Sequence, residues 1–312
     1  MALSSGIELI VIAGPTAVGK SAAGVALARA LDGEIISGDS VQVYRELNIG
    51  AAKPPPAERL GVPHHLLDEL DLAEPFTAAS FCRRAATLAA EIRARGRMPI
   101  VVGGTGLYLR ALLDGFTFAT AGADREGDDR AALRPDPEAL HRQLSAIDPV
   151  SAARLHPHDT ARLLRALEVF TLTGRPLSAQ RRYEERLYPP LPGVTIFGLT
   201  APRPWLYERI NARAEVMLRD GLFEETAALL RAGRSPELKP LRSIGYRHAV
   251  AYLRGLCTQA ETLRLLQRDT RRLAKRQWTW FCRDPRIIWL DVTESPPGAL
   301  VARMTSLLSG PL

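Results

Sequence analysis

The string GPTAVGKS at residues 14–21 fits the spacing G-x-x-x-x-G-K-[ST] through Gly14, Gly19, Lys20 and Ser21. It follows the apolar run IELIVIA and precedes AAGVALARAL, the strand-then-helix setting in which such a loop cradles phosphates. Glycines let backbone N–H groups converge on phosphate oxygens, Lys20 reaches the distal phosphates, Ser21 can ligate Mg2+, and the helix N-terminus favours an anion. Pro15, Thr16, Ala17 and Val18 complete the stretch. The motif specifies a diphosphate or triphosphate and no more. The segment EIISGDSVQVY places Asp39 just past an apolar strand, and strand C-termini form the ligand crevice of a parallel sheet, so this carboxylate is aimed at the P-loop. Its structural alternative is a turn former or helix cap. A third run ends in VVGGTGLYL, where Gly103, Gly104 and Gly106 allow close backbone approach at the same crevice and Thr105 offers a hydroxyl; a simple strand-to-helix turn is the alternative. His64 and His65 suggest a metal, but no further ligands stand at suitable spacing, so a structural or substrate-positioning role is expected.

These residues need a scaffold that gathers them. The first 115 residues alternate continuous apolar runs (LIVIA, EIISGDS, PIVVGG) with helical patterns at 21–31, 78–95 and 107–113, which predicts a parallel sheet with helices on both faces. Residues 116–137 are small, charged and turn-rich, and from 138 to 188 the periodicity is helical only. Strand-like GVTIFGLT returns at residue 193, helices fill 205–281, and RIIWLDV closes the pattern. The expected architecture is an α/β, P-loop NTPase-like core over residues 1–116 and 190–312, with an inserted small all-helical domain at 117–189. The proline cluster KPPPAERLGVPHH reads as a loop.

Composition is that of an ordinary globular protein, with 46% hydrophobic and 24% charged residues. There is no basic leader followed by an apolar core and no long apolar span, so a cytoplasmic chain with no membrane partner is expected. Cys82, Cys257 and Cys282 form no C-x-x-C pair and are expected to be reduced and inert. Residues 239–286 hold 12 Lys/Arg against 3 Asp/Glu, a surplus larger than the net charge of +7 of the whole chain. Such clustering points to a polyanionic partner, a solvated helix face being the alternative.

Taken together, GPTAVGKS, EIISGDSVQVYRELNIGAAKP, VPHHLLDE, PIVVGGTGLYLRALLDG, RALEVFTLTG, IGYRHAVAYLRG and DTRRLAKRQWTWF closely resemble the tRNA dimethylallyltransferase (tRNA isopentenyltransferase) family of the bacterial type. The resemblance implies transfer of a dimethylallyl group from dimethylallyl diphosphate to N6 of the adenosine 3′ to the anticodon, by a monomer. The P-loop and Mg2+ would then stabilise a leaving diphosphate instead of a transferred phosphoryl group. Thr105 and Arg213 would contribute further contacts, and Asp39 would take the proton from N6. A flipped base would be read by Asp39, Ser40, Val41 and Gln42, with Gln42 offering both donor and acceptor. The tRNA would lie on Ala161, Arg162, Leu163, Leu164 and Arg165, with Arg154 nearby, and on Arg268, Arg271, Arg272, Lys275 and Arg276, whose spacings share a helix side. Trp278 and Trp280 could stack on bases, but core positions are expected for both. Three positions depart from the family pattern: Ser21 replaces the more usual Thr, Ala51 lacks a hydroxyl, and Ala161 stands where Gln is usual. Two other readings share parts of the pattern. An adenine-nucleotide prenyltransferase of the cytokinin type would need no large RNA surface, and a small-molecule P-loop kinase would not account for the helical block or the basic segment.

Overall fold

The computed structural model describes residues 6–115, 136–180, 188, 191–294 and 297–309, and the chain divides into two units, residues 1–114 with 190–312 and residues 115–189. In the first unit the apolar runs become strands, because a strand covered on both faces must be apolar on both. In chain order the elements are β1 (Leu9–Ala13), α1 (Lys20–Ala30), β2 (Gly33–Gly38), α2 (Pro56–Arg59), β3 (His64–His65), α3 (Ala78–Ala94), β4 (Met98–Gly103) and α4 (Gly106–Leu113). The second part of the same unit adds β5 (Val194–Thr200), which follows the helices described below for the other unit.

All six strands run parallel in the order β3-β2-β4-β1-β5-β6, where β6 is Ile287–Asp291. The chain builds to one side of β1 first and to the other with β5, so β1 is the topological switch point, where such sheets open a crevice. Register pairs Gly38 with Gly103 and Ala13 with Gly198, which brings the ends of β2, β4, β1 and β5 to one edge. Asp39, the 103–106 turn and the P-loop all leave from that edge. Ile10, Ile12, Leu27, Ile100, Phe197 and Leu199 form the core beneath it.

Two expectations are corrected. The proline cluster is not all loop: it contains α2, with proline in its first turn, and β3, in which His64 pairs with Ile35 and His65 with Ile36. A two-residue strand is too short to show any periodicity. A further helix follows β6, burying Leu300, Met304 and Leu308 at four-residue spacing against the same core as α1.

The second unit is helical in its described residues: α5 (Pro137–Ile147), α6 (Pro149–Ala152), α7 (Thr160–Thr173) and α8 (Leu177–Gln180). Asp136 caps α5, Asp159 caps α7 by accepting from Arg162 N, and Gly174, at φ 66°, ends α7. Leu140, Leu144, Ala152, Leu163 and Ala166 make a small core of its own. Completing the first unit are α9 (Arg203–Arg219), α10 (Leu222–Arg231), a 3-10 turn (Lys239–Arg242), α11 (Tyr246–Leu253) and α12 (Gln259–Phe281), then β6 and α13 (Pro297–Ser309). Helix α12 starts on a capping box between Thr258 and Glu261.

Candidate active site

The P-loop takes left-handed backbone at Gly14 (φ 144°), Ala17 (φ 65°) and Gly19 (φ 102°), which turns successive N–H groups toward one concavity. Ala17 adopts this conformation with a side chain, at a cost of about 1–2 kcal/mol. Side chains hold the loop from three directions. Lys20 Nζ donates to Pro15 O at 2.7 Å, Arg209 Nε donates to Ala17 O at 3.0 Å, and Gln277 Oε1 accepts from Thr16 N at 2.8 Å. Ser21 is exposed on the first turn of α1.

Electrostatics mark the centre of the site. Burial, reinforced by the charge of Arg213 and opposed by Asp39, lowers the Lys20 amine to about 7. Burial also lowers the Arg213 guanidinium, with Asp39 again opposing and Arg209 adding repulsion. Two crowded cations with one carboxylate beside them form a place where an added polyanion is strongly favoured.

Asp39 follows β2, and its Oδ1 accepts from Val41 N at 2.8 Å and Gln42 N at 3.3 Å. The turn-forming role weighed from sequence is therefore real, and it uses one carboxylate oxygen, leaving Oδ2 for chemistry. Gln42 corrects a sequence expectation. Its Nε2 donates to Ala51 O at 3.2 Å and Ala52 O at 3.3 Å, so both amide hydrogens are committed, while Oε1 accepts from the Ser37 hydroxyl at 3.3 Å and keeps one lone pair. Gln42 can accept from a base edge but not donate to one. The bond at residue 51 goes to the backbone, so the missing Ala51 hydroxyl does not enter it. Ser40 and Val41 are half-buried beside Asp39. Thr105, half-buried, precedes α4 and its hydroxyl makes no capping hydrogen bond to the helix.

The basic positions of α12 fall into two groups. Arg268 Nε donates to Asp269 at 2.8 Å, a carboxylate that also accepts from Arg247 at 2.6 Å and His248 at 3.1 Å. Those hydrogen bonds, led by Arg268 and working against burial, hold Asp269 far below the ordinary carboxylate range. Arg271 Nη1 donates to Asn211 at 2.6 Å and lies over the Tyr207 ring. Arg272, Lys275 and Arg276 are exposed, Arg272 lying 3.7 Å from Asp269. Trp278 packs on Trp289 with centroids 5.0 Å apart, whereas Trp280 is 40% exposed, contrary to the core expected for it. In the helical unit Ala161 and Arg162 are exposed, Arg165 pairs with Glu168 at 2.7 Å, Leu163 is in the core and Leu164 packs on it. The leucines hold the helix, and the arginines face outward. Both histidines are structural: His64 Nδ1 bonds to Val62 O and His65 Nε2 to Glu34.

A model of the family described as IPP transferase matches residues 42–284. A tRNA dimethylallyltransferase of Desulfitobacterium hafniense is 57% identical over 286 residues, 91% of each chain, and one from Heliobacterium modesticaldum is 49% identical over 90% of this chain and 88% of its own. The crystal structure of a tRNA isopentenylpyrophosphate transferase from Bacillus halodurans superposes with a TM-score of 0.72 at 40% identity, covering 97% of this chain and 95% of the other. The chain belongs to this family. A structure of a eukaryotic dimethylallyltransferase acting on tRNA matches with a TM-score of 0.77 at 29% identity over 91% of this chain and 73% of that one.

Sequence reasoning missed three residues that hold this candidate site. Gln277 is the first. Glu225 is the second: its carboxylate accepts from the backbone N–H groups of Asn48 (3.1 Å), Ile49 (3.0 Å) and Gly50 (3.3 Å), fixing the loop whose next carbonyls orient Gln42. Tyr246 is the third, donating to Glu225 at 2.5 Å; burial and that carboxylate push its hydroxyl well above the ordinary phenol range. Only the quoted IGYRHAV stretch hinted at the last.

Proposed function

We propose that the chain transfers the dimethylallyl group of dimethylallyl diphosphate to N6 of the adenosine 3′-adjacent to the anticodon of tRNA. The observation that carries this reading is the half-buried Lys20 and Arg213, whose charges both interact with Asp39, at the P-loop. A leaving diphosphate needs cations and N–H donors where negative charge develops, and the attacking amine needs a base. The C1–O bond to the diphosphate breaks as the N6–C1 bond forms. N6 then carries an extra proton, which passes to Asp39 Oδ2. The diphosphate stays on the P-loop N–H groups, Lys20, Arg213 and the Thr105 hydroxyl. The target base leaves the anticodon stack to reach this point, and the carbonyl of Gln42 accepts from its amine.

Ser21 offers a hard oxygen donor in the phosphate loop, and no cluster of three or more metal-ligating side chains occurs among the described residues. That donor fits Mg2+, which takes one or two protein oxygens and completes its shell with substrate phosphates and water. Bound there, it would neutralise charge on the leaving diphosphate. The exposed cations Arg272, Lys275 and Arg276, and Arg162 and Arg165 of the helical unit, grip the backbone of the anticodon stem–loop. The protein works as a cytoplasmic monomer in this reading, and no helix among the described residues is long and apolar enough to cross a membrane.

The test supplies labelled dimethylallyl diphosphate with unmodified tRNA, AMP or ATP and asks which acceptor gains label. Label on tRNA is expected. Label on AMP alone, or phosphate release from ATP without prenyl transfer, overturns the reading.

A further inference from the structure

Gln277 reaches from α12 to two loops that leave different strands. Its Oε1 accepts from Thr16 N of the P-loop at 2.8 Å, and its Nε2 donates to Gly104 O of the 103–106 turn at 2.9 Å. A backbone N–H can only donate and a carbonyl can only accept, so the two partners require an acceptor and a donor on one flat group. A side-chain amide supplies that pair, and a carboxylate does not. Contact is close along this face: a Cβ on Gly104 would come within 2.5 Å of Gln277 Nε2, and one on Gly106 within 2.4 Å of the Trp280 ring. Gly104 and Gly106 are therefore demanded by α12 lying on the turn, and Gly103 by its close approach to Gly38 of β2.

Up to five residues before Gln277, the same helix exposes Arg272, Lys275 and Arg276. One rigid element thus presents charge to solvent and ties together the two loops that face the diphosphate. Resting on the reading of α12 as a tRNA surface, we infer that Gln277 is a positioning residue that couples the two substrates: seating α12 on tRNA sets Thr16 and Gly104, and with them the diphosphate cradle. Gln277 itself bonds backbone groups of the protein, not phosphate. Coupling of this kind is reciprocal, so a bound diphosphate must tighten tRNA binding by the same factor.

The experiment measures binding of inorganic pyrophosphate with Mg2+ to wild type, Gln277→Ala and Gln277→Glu, with and without saturating unmodified anticodon stem–loop RNA. RNA should tighten pyrophosphate binding to wild type about tenfold. In Gln277→Ala that factor should fall to within about twofold of one, RNA affinity measured without pyrophosphate should change less than about twofold, and KM for dimethylallyl diphosphate at saturating RNA and KM for RNA at saturating dimethylallyl diphosphate should both rise. Gln277→Glu, nearly the same shape, keeps the acceptor for Thr16 N but sets a carboxylate against Gly104 O, and should lose the coupling at least as fully. A merely structural residue would lower the thermal midpoint and all constants together. Retention of the wild-type factor in either variant overturns the inference, as does a wild-type factor of one with RNA bound. If the stem–loop does not bind wild type at all, the tRNA reading falls with it.

Discussion

Strand β2 carries an acidic residue near each end, and the two are handled in opposite ways. At the start, Glu34 is buried and its carboxylate accepts from His65 at 2.6 Å, Arg95 at 2.7 Å and Arg97 at 3.4 Å. Burial pushes its carboxyl up, but the hydrogen bonds from Arg95 and His65, with their charges, outweigh this and hold it below the ordinary range. Every charge there is answered within the protein. Past the other end, Asp39 interacts with Lys20 and Arg213, two cations whose pKa values burial lowers, with repulsion from Arg213 on Lys20 and from Arg209 on Arg213 adding to it. The first cluster is complete as it stands; the second is completed by an anion. Mutations at the two ends should therefore break different properties.

The largest effect is expected at the unanswered end. Asp39→Asn keeps an oxygen to accept from Val41 N but cannot take the proton from N6, so kcat should drop by about 10²-fold or more with little change in tRNA affinity. Near-normal turnover would remove Asp39 from the mechanism.

Next in size is Lys20. Lys20→Met should weaken dimethylallyl diphosphate binding by about 10–100-fold, the worth of a charge-assisted hydrogen bond. Its pKa near 7 gives a pH signature. A diphosphate raises that pKa, so binding above pH 7 takes up as much as one proton. Affinity is then full below pH 7 and declines by about tenfold per pH unit above it, until the raised value is passed. Without ligand the sign is reversed: the unfolded chain holds the proton that the native amine gives up, so stability rises with pH between about 7 and 10. Calorimetry in buffers of different ionisation enthalpy reads the uptake, and Lys20→Met should abolish it.

What the sequence makes legible follows the range of the interactions. The P-loop, the position of Asp39 past its strand and five of the six strands are written in local spacing and apolar runs. Gln277 is not, because its partner Thr16 lies 261 residues away and nothing near Gln277 marks the contact. The same holds for Glu225, which meets Ile49 across 176 residues. Gln42 shows the complementary failure: its type was informative, but which of its hydrogen-bonding atoms remain free is decided by the carbonyls of Ala51 and Ala52.

At the answered end a smaller, purely structural effect is expected. Glu34→Gln removes the charge that Arg95 and Arg97 share, but both arginines are partly exposed and can be rehydrated, so the cost in stability should be about 1–2 kcal/mol. Activity well below the melting transition should be unchanged. A loss of kcat with intact stability would mean that the two ends of β2 communicate.

The smallest effect extends the contrast between answered and unanswered charge to α12. Binding to a nucleic acid releases counterions in proportion to the phosphates neutralised, and the slope of log affinity against log salt counts them. Arg276 is exposed and forms no ion pair among the described residues, so Arg276→Ala should lower that slope by somewhat less than one and weaken tRNA binding modestly. Arg268 stands two turns earlier on the same helix but is matched by Asp269, which Arg247 and His248 also hold. Arg268→Ala should leave the slope nearly as it is. Arg271 lies between the two cases: its partner Asn211 is neutral, so its charge is uncancelled though half-buried, and its alanine variant should flatten the slope less than that of Arg276. Equal slopes for all three variants would mean that position on the helix, and not cancellation by a neighbouring carboxylate, decides which arginines the RNA feels.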